Sequence, residues 1–224
     1  MTHVPFAYED DLCNVLAKRL DQVLFRGARP LARTLVERPV GMVIPDLIFI
    51  RAYHAPGRLL PRSGLTALES AIVAALLGGR PLRDTTIAKR LFSHVERIVP
   101  RLRALERQGV VDQPSEGVYV LRSRAALDRA RVVAVEAKLR RWSDAVRQAA
   151  SYLAFANEAY VALPREVADG NSALRRAVVK ARVGLMLVDP HSVRISHAAP
   201  RHKPRSAQRV WLLSRTVSLV AGRS

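Results

Sequence analysis

Two stretches, MVIPDLIFI at residues 42–50 and VVAVEAKLRRW at residues 132–142, decide how this 224-residue chain folds. Each contains an apolar, β-branched run of the kind that forms a buried strand. Each also carries charge where such a strand should have none: Asp46 in the first, Glu136 and Lys138 in the second. Ionised groups occupy such positions only when they are paired or bound to a metal. Residues two apart on a strand share a face, so Glu136 and Lys138 project together. A carboxylate and an amine side by side, with a second carboxylate from a neighbouring strand, suit a metal ion and a water.

Working outward, residues 8–25 read as an amphipathic helix with Leu12, Leu16, Leu20 and Val23 on one stripe, stopped by Gly27 and Pro30. Glu9 falls on the same stripe, while Asp10 and Asp11 suit the positive end of the helix dipole. LARTLVERPVG (31–41) and residues 42–53 are strand-like and joined near Pro39–Gly41. The period then changes. Helices are expected at 65–79, with Thr66 as cap, at 84–92, with Asp84 as cap, and at 93–111, followed by a hairpin around Pro114–Gly117. After it come a strand (131–139), a helix (141–157), a strand (158–164), a helix (171–181) and two strands (183–190 and 192–198). A last amphipathic helix surrounds Trp211. The fold class is α/β (α+β): a mixed central sheet flanked by helices, with an inserted helical module. The core takes residues 1–57 and 127–224, and the insert residues 58–126.

The charge is far from balanced: 37 Lys and Arg against 19 Asp and Glu give +18. A field of that sign attracts polyanions, nucleic acid first and anionic membrane second. Residues 191–224 hold seven basic and no acidic residues, which an arginine-rich solvated surface alone does not explain. Cys13 is the only cysteine, so an intrachain disulfide and a cysteine metal cluster are excluded; it reads as core. The longest apolar run, AIVAALLGG, is well short of the ~20 residues that span a bilayer, and the N-terminus lacks a secretion signal. A cytoplasmic protein with no membrane association is expected. His191 and His197 lack metal-like partner spacing, and Trp142 and Trp211 read as packing anchors.

Three short helices followed by a two-stranded wing resemble a winged helix-turn-helix domain, with Ile98, Leu105, Gly109 and two valines leading into the wing. The resemblance covers residues 64–123 and implies that the third helix enters the major groove of duplex DNA. Arg97 and Arg101 would face the groove; Lys89, Arg90 and Arg122 would contact phosphates. Pro100 cannot donate to a helix ladder, so that helix should begin near Arg97. The same module could also serve protein contacts.

Outside the insert, residues 8–55 and 131–198 resemble the PD-(D/E)xK nuclease superfamily, which has a restriction-endonuclease-like core. The motif elements come in order: Glu9 on the first helix, Pro45–Asp46 on the second strand, Glu136-x-Lys138 on the third, then Gln148 and Tyr152 on the following helix. The resemblance implies Mg²⁺, with Mn²⁺ able to substitute, held by Asp46 and Glu136 with Glu9 as an outer or second-metal partner. Lys138 would orient or deprotonate the attacking water and steady the phosphate, and Gln148 would hydrogen-bond at the rim. The 90 positions between Asp46 and Glu136 depart from compact members, where a short hairpin intervenes. A surface ion pair on an edge strand would equally place Glu136 beside Lys138.

The expected activity is metal-dependent DNA endonuclease, on duplex or branched DNA, with a homodimer left open because a paired double-strand cut needs two sites. A DNA-binding regulator or structural protein with an inactive nuclease-like core is the alternative, and an RNA-directed nuclease a third reading.

Overall fold

The computed structural model describes residues 6–24, 31–52, 60–61, 63–123 and 125–221. The chain opens with helix α1 (Glu9–Leu24) and strands β1 (Leu31–Val36) and β2 (Leu47–Ala52). A second group follows: α2 (Ala67–Leu76), β3 (Leu82–Arg83), α3 (Asp84–Arg90), α4 (Val95–Arg107), β4 (Val111–Ser115), β5 (Val118–Leu121) and α5 (Ala125–Arg129). Then come β6 (Arg131–Ala137), α6 (Trp142–Tyr152), β7 (Glu158–Pro164), α7 (Arg165–Ala168), α8 (Ser172–Ala181), β8 (Gly184–Asp189) and β9 (Ser192–His197). Helix α9 (Ala207–Ala221) closes the chain. The stops expected at Gly27 and Pro30, and the boundary at 57/58, lie outside the described residues.

The chain divides into two compact units, residues 1–51 with 131–204, and residues 52–130 with 205–224. The first is a mixed six-stranded sheet in the order β1-β2-β6-β7-β8-β9. β6, β7 and β8 run parallel, and β2 and β9 pair antiparallel on either side. Parallel neighbours need long crossovers, which α6 and the pair α7 and α8 supply. Strands covered on both faces are apolar throughout rather than alternating, as the fully buried β7 and β8 are.

Leu12, Leu16 and Leu20 of α1 recur at helical spacing and pack on one sheet face with Leu47, Phe49, Val133, Val135, Tyr160, Met186 and Val188. Val23, expected on that stripe, is only partly buried. The chain leaves the sheet at Arg51 and returns at Arg131, and these two residues are cross-strand partners. An excursion with its ends so close leaves the β2–β6 ladder intact.

The second unit has the order α2-β3-α3-α4-β4-β5, with a three-stranded sheet β3-β5-β4. Thr66 caps α2 as expected: its hydroxyl accepts from the Glu69 N–H, and the Glu69 carboxylate accepts from the Thr66 N–H in return. Two local expectations fail. The N-cap of α3 is Arg83; Asp84 is the first helical residue and accepts from the Thr85 N–H. α4 starts at Val95, so Pro100 lies in its second turn. The buried stripe Ile98, Leu102 and Leu105 holds the helix together despite the lost donor.

Residues 127–224 are expected in the sheet unit, but α9 groups with the helical one. Ser214 accepts from the Leu65 N–H through its hydroxyl, and buried Arg209 donates to the carbonyls of Leu127 and Ala130 at the end of α5. An acid-free tail of moderate amphipathicity does not announce which neighbour its apolar stripe will cover.

In the sheet unit, a Cβ added to Gly184 would lie 2.3 Å from ring atoms of Tyr160 and 2.9 Å from the Ala199 nitrogen. Gly184→Ala should lower unfolding free energy by about 1–3 kcal/mol through overpacking. Urea denaturation reads this as a lower midpoint at unchanged slope; a neutral substitution would mean that Tyr160 is free to move.

Candidate functional site

The register of β2 against β6 builds the site. Leu47 pairs with Val135, so Asp46, one residue before β2 begins, falls opposite Glu136 near the carboxyl end of β6. Leu47 and Phe49 face α1, whereas Glu136 lies on the opposite face, where Tyr152 of α6 meets it. Asp46 stands just ahead of the strand rather than on it, and the Ala137 N–H donates to its Oδ2 at 2.7 Å. Glu136 is 1% exposed on an interior strand, which rules out a surface ion pair at a sheet edge.

Lys138 follows β6 and its ammonium reaches two carboxylates, Glu9 Oε2 at 3.0 Å and Glu136 Oε1 at 3.3 Å. Tyr152, at the end of α6, donates its hydroxyl to Glu136 Oε2. Gln148 lies one turn earlier on α6 and is partly buried. Among the described residues, no hydrogen bond ties its amide to Glu136, Asp46 or Lys138, so Tyr152 is the α6 residue that engages the site. The two share a helix face by their spacing of four, and only packing selects which reaches the strand. Cys13, expected as core, is partly buried beside that core, one turn along α1 from Glu9. Burial pushes its thiol up to about 12, with the negative charges of Asp46 and Asp10 adding to the effect. It is therefore a protonated thiol at neutral pH and not a nucleophile.

The electrostatics follow from crowding. Burial raises the Asp46 carboxyl above its ordinary value, opposed by the Ala137 hydrogen bond and the Lys138 charge. Burial also raises Glu136, opposed by the Tyr152 hydrogen bond and reinforced by the charge of Asp46. At Lys138 burial acts downward, but the hydrogen bond to Glu9 and the charges of Asp46 and Glu136 outweigh it and raise the amine. Lys138 thus keeps its proton at neutral pH. In that charge state Lys138 can orient a water and stabilise negative charge.

Three carboxylates (−3) and one ammonium (+1) leave a formal −2 when all are ionised. A divalent cation would balance that charge. Among the described residues, no three of His, Cys, Asp and Glu come together in a group that could hold a metal ion. Glu9, expected as a further metal partner, is instead bound to Lys138. The donor set that faces inward is Asp46 and Glu136. Two carboxylates fit a magnesium ion that keeps most of its waters; they do not fit a closed protein cage.

The five cations expected to meet nucleic acid are all exposed in the second unit. Lys89 and Arg90 end α3, and Arg97 and Arg101 lie on α4. Arg90 also donates to the Ala75 carbonyl at 3.4 Å, and Arg101 sits 3.9 Å from Glu69. Arg122 is the most committed, donating from Nε and Nη2 to Asp112 Oδ1 at 2.9 and 2.6 Å.

No family model and no curated protein matches the chain. A solved structure that does match is a protein of unknown function from Silicibacter pomeroyi, 20% identical, with 54% of this chain and 82% of that chain covered and a TM-score of 0.29. A likeness of that size bears on neither fold nor site. Among the described residues, no helix is long and apolar enough to cross a membrane.

The raised Asp46 carboxyl makes a signed prediction. It binds protons more readily folded than unfolded, so its ionisation costs stability above the folded pKa and costs nothing below the unfolded one. Asp46→Asn, which can still accept from the Ala137 N–H, should therefore be more stable than wild type at pH 7. That advantage should shrink towards about pH 3, where the aspartate is neutral in both states. Denaturation at both pH values tests this; a variant less stable at pH 7 would mean that Lys138 already compensates the charge.

Proposed function

We propose that this chain is a divalent-metal-dependent phosphodiesterase acting on DNA, a nuclease of the PD-(D/E)xK type with a winged-helix second unit. One observation carries the reading. Asp46 and Glu136, 90 positions apart in the chain, fall opposite each other at one end of the β2–β6 pair, with the Lys138 ammonium on Glu136. A protein that needed only a sheet would fill those positions with apolar residues, because buried carboxylates of raised pKa cost stability and contribute none.

Magnesium, or manganese in its place, would be held by Asp46 and Glu136 and would supply a more acidic water and relief of phosphate charge. The chain's own groups account for the rest. Lys138 donates to the phosphate as negative charge gathers on its oxygens, and Glu9 aims that ammonium. The Ala137 N–H and the Tyr152 hydroxyl hold Asp46 and Glu136, so the carboxylates do not reorganise during reaction. In hydrolysis, water oxygen bonds to phosphorus as the P–O bond to the leaving sugar breaks; the attacking water gives one proton to solvent and the leaving sugar oxygen takes one from solvent.

The order α2-β3-α3-α4-β4-β5, with β3 paired to β5, supports the winged-helix part of the reading. A net +7 over residues 58–131 (14 basic, 7 acidic) supports nucleic acid as its partner. On this view α4 enters the groove of a DNA duplex, and Lys89, Arg90 and Arg122 meet phosphates.

Purified protein should nick or cut plasmid or branched DNA with Mg²⁺ or Mn²⁺, and EDTA should stop it. Lys138→Ala should reduce cutting at least ~100-fold while leaving salt-sensitive DNA binding intact. If wild type and variant are equally inert on duplex, single-stranded and branched substrates but still bind DNA, the chain is a binder with an inactive core.

A further inference from the structure

The α3–α4 turn carries a residue that elementary physics would not place there. α3 ends in a Schellman motif, in which the Phe92 N–H donates to the Lys89 carbonyl at 3.2 Å and the Ser93 N–H to the Ala88 carbonyl at 3.0 Å. That motif requires the residue after the cap to adopt the left-handed conformation, and Phe92 does so at φ 50°. Glycine is the ordinary occupant because a Cβ crowds the following carbonyl. α4 of the same unit follows the rule: Gly109 sits at φ 72° with the equivalent bonds to Glu106 and Leu105.

Burial does not compensate this strain, since Phe92 is 99% exposed. Arg182, after α8, also adopts a positive φ without being glycine, yet its polar end belongs in water. Phe92 has neither excuse. A strained residue that also wastes its apolar surface points to an interaction outside the chain.

Its neighbours indicate the occupant. Lys89 and Arg90 precede the turn, His94 and Arg97 follow it, and all four are exposed. An exposed aromatic ring with Lys89, Arg90 and Arg97 close to it in the chain suits a polyanion that also offers apolar groups, and duplex DNA does both through its phosphates and the thymine methyls of its major groove. We infer that Phe92 is a nucleic-acid-binding residue, making an apolar contact with the bases of duplex DNA while the flanking cations engage phosphate. This rests on the DNA-binding reading above and assigns the contact within it.

The test uses the full chain with labelled duplex DNA in EDTA, by fluorescence anisotropy across a salt series, together with thermal melts. Phe92→Gly should raise the melting temperature by about 2–4 °C as the strain is relieved, and Phe92→Ala should leave it nearly unchanged. Both should weaken DNA binding about tenfold, with the slope of affinity against salt unaltered because no phosphate contact is lost. Affinity within twofold of wild type in both variants, or a shallower salt slope, would overturn the inference. If wild type cuts DNA and the variants bind as it does, this inference alone falls; if wild type binds no DNA, the DNA reading falls with it.

Discussion

The antiparallel pairing of β2 with β6 is the constraint on which the candidate site depends. These strands are separated in the chain by a whole compact unit, yet Arg51 and Arg131 pair directly, and four further pairs follow down to Leu47 and Val135. One more step brings Asp46 opposite Glu136. A register slip of a single residue would take Asp46 away from Glu136 and from the Ala137 N–H that holds it, and break the site. The buried stripes of Leu47, Phe49, Val133 and Val135 under α1 enforce the register. Apolar packing under α1 thus fixes the charged chemistry at the end of the β2–β6 pair.

The two ends of the sheet handle buried charge differently. At the amino end of β7, Glu158 accepts from Arg131 through both carboxylate oxygens, from Arg201, and from the Tyr160 hydroxyl. Two guanidiniums answer one carboxylate there, as a structural network requires. At the carboxyl end of β6 a single ammonium answers Glu9 and Glu136 and faces Asp46 as well. That surplus of negative charge, with Asp46 and Glu136 raised above their ordinary range, is what the proposed cation would balance.

Much of this was legible in the sequence because it depends on short-range pattern. Helical spacing of Leu12, Leu16 and Leu20, apolar runs flanking Asp46 and Glu136, and Thr66 three residues before Glu69 each declare their element locally. What escaped depends on contacts distant in sequence. β3 has two residues and exists only because β5 lies beside it. α9 joins the helical unit through Ser214 and Arg209, whose partners are residues 65, 127 and 130. Pro100 alone argues for a helix starting near Arg97, but α4 starts at Val95, with Ile98 and Leu102 buried and local preference overridden. Gln148 and Tyr152 are equivalent by spacing, and the packing of α6 on β6 chose the tyrosine. The charge state of Lys138 could not be read at all without the three carboxylates around it.

On the proposed function, Asp46 and Glu136 share one divalent cation. Anomalous diffraction from a crystal soaked in Mn²⁺ tests it most directly. A single strong peak within coordinating distance of both carboxylates, with Lys138 beside it and Glu9 outside the coordination sphere, is the predicted result. A peak bound to other residues, or a well-occupied soak with nothing between Asp46 and Glu136, would contradict it.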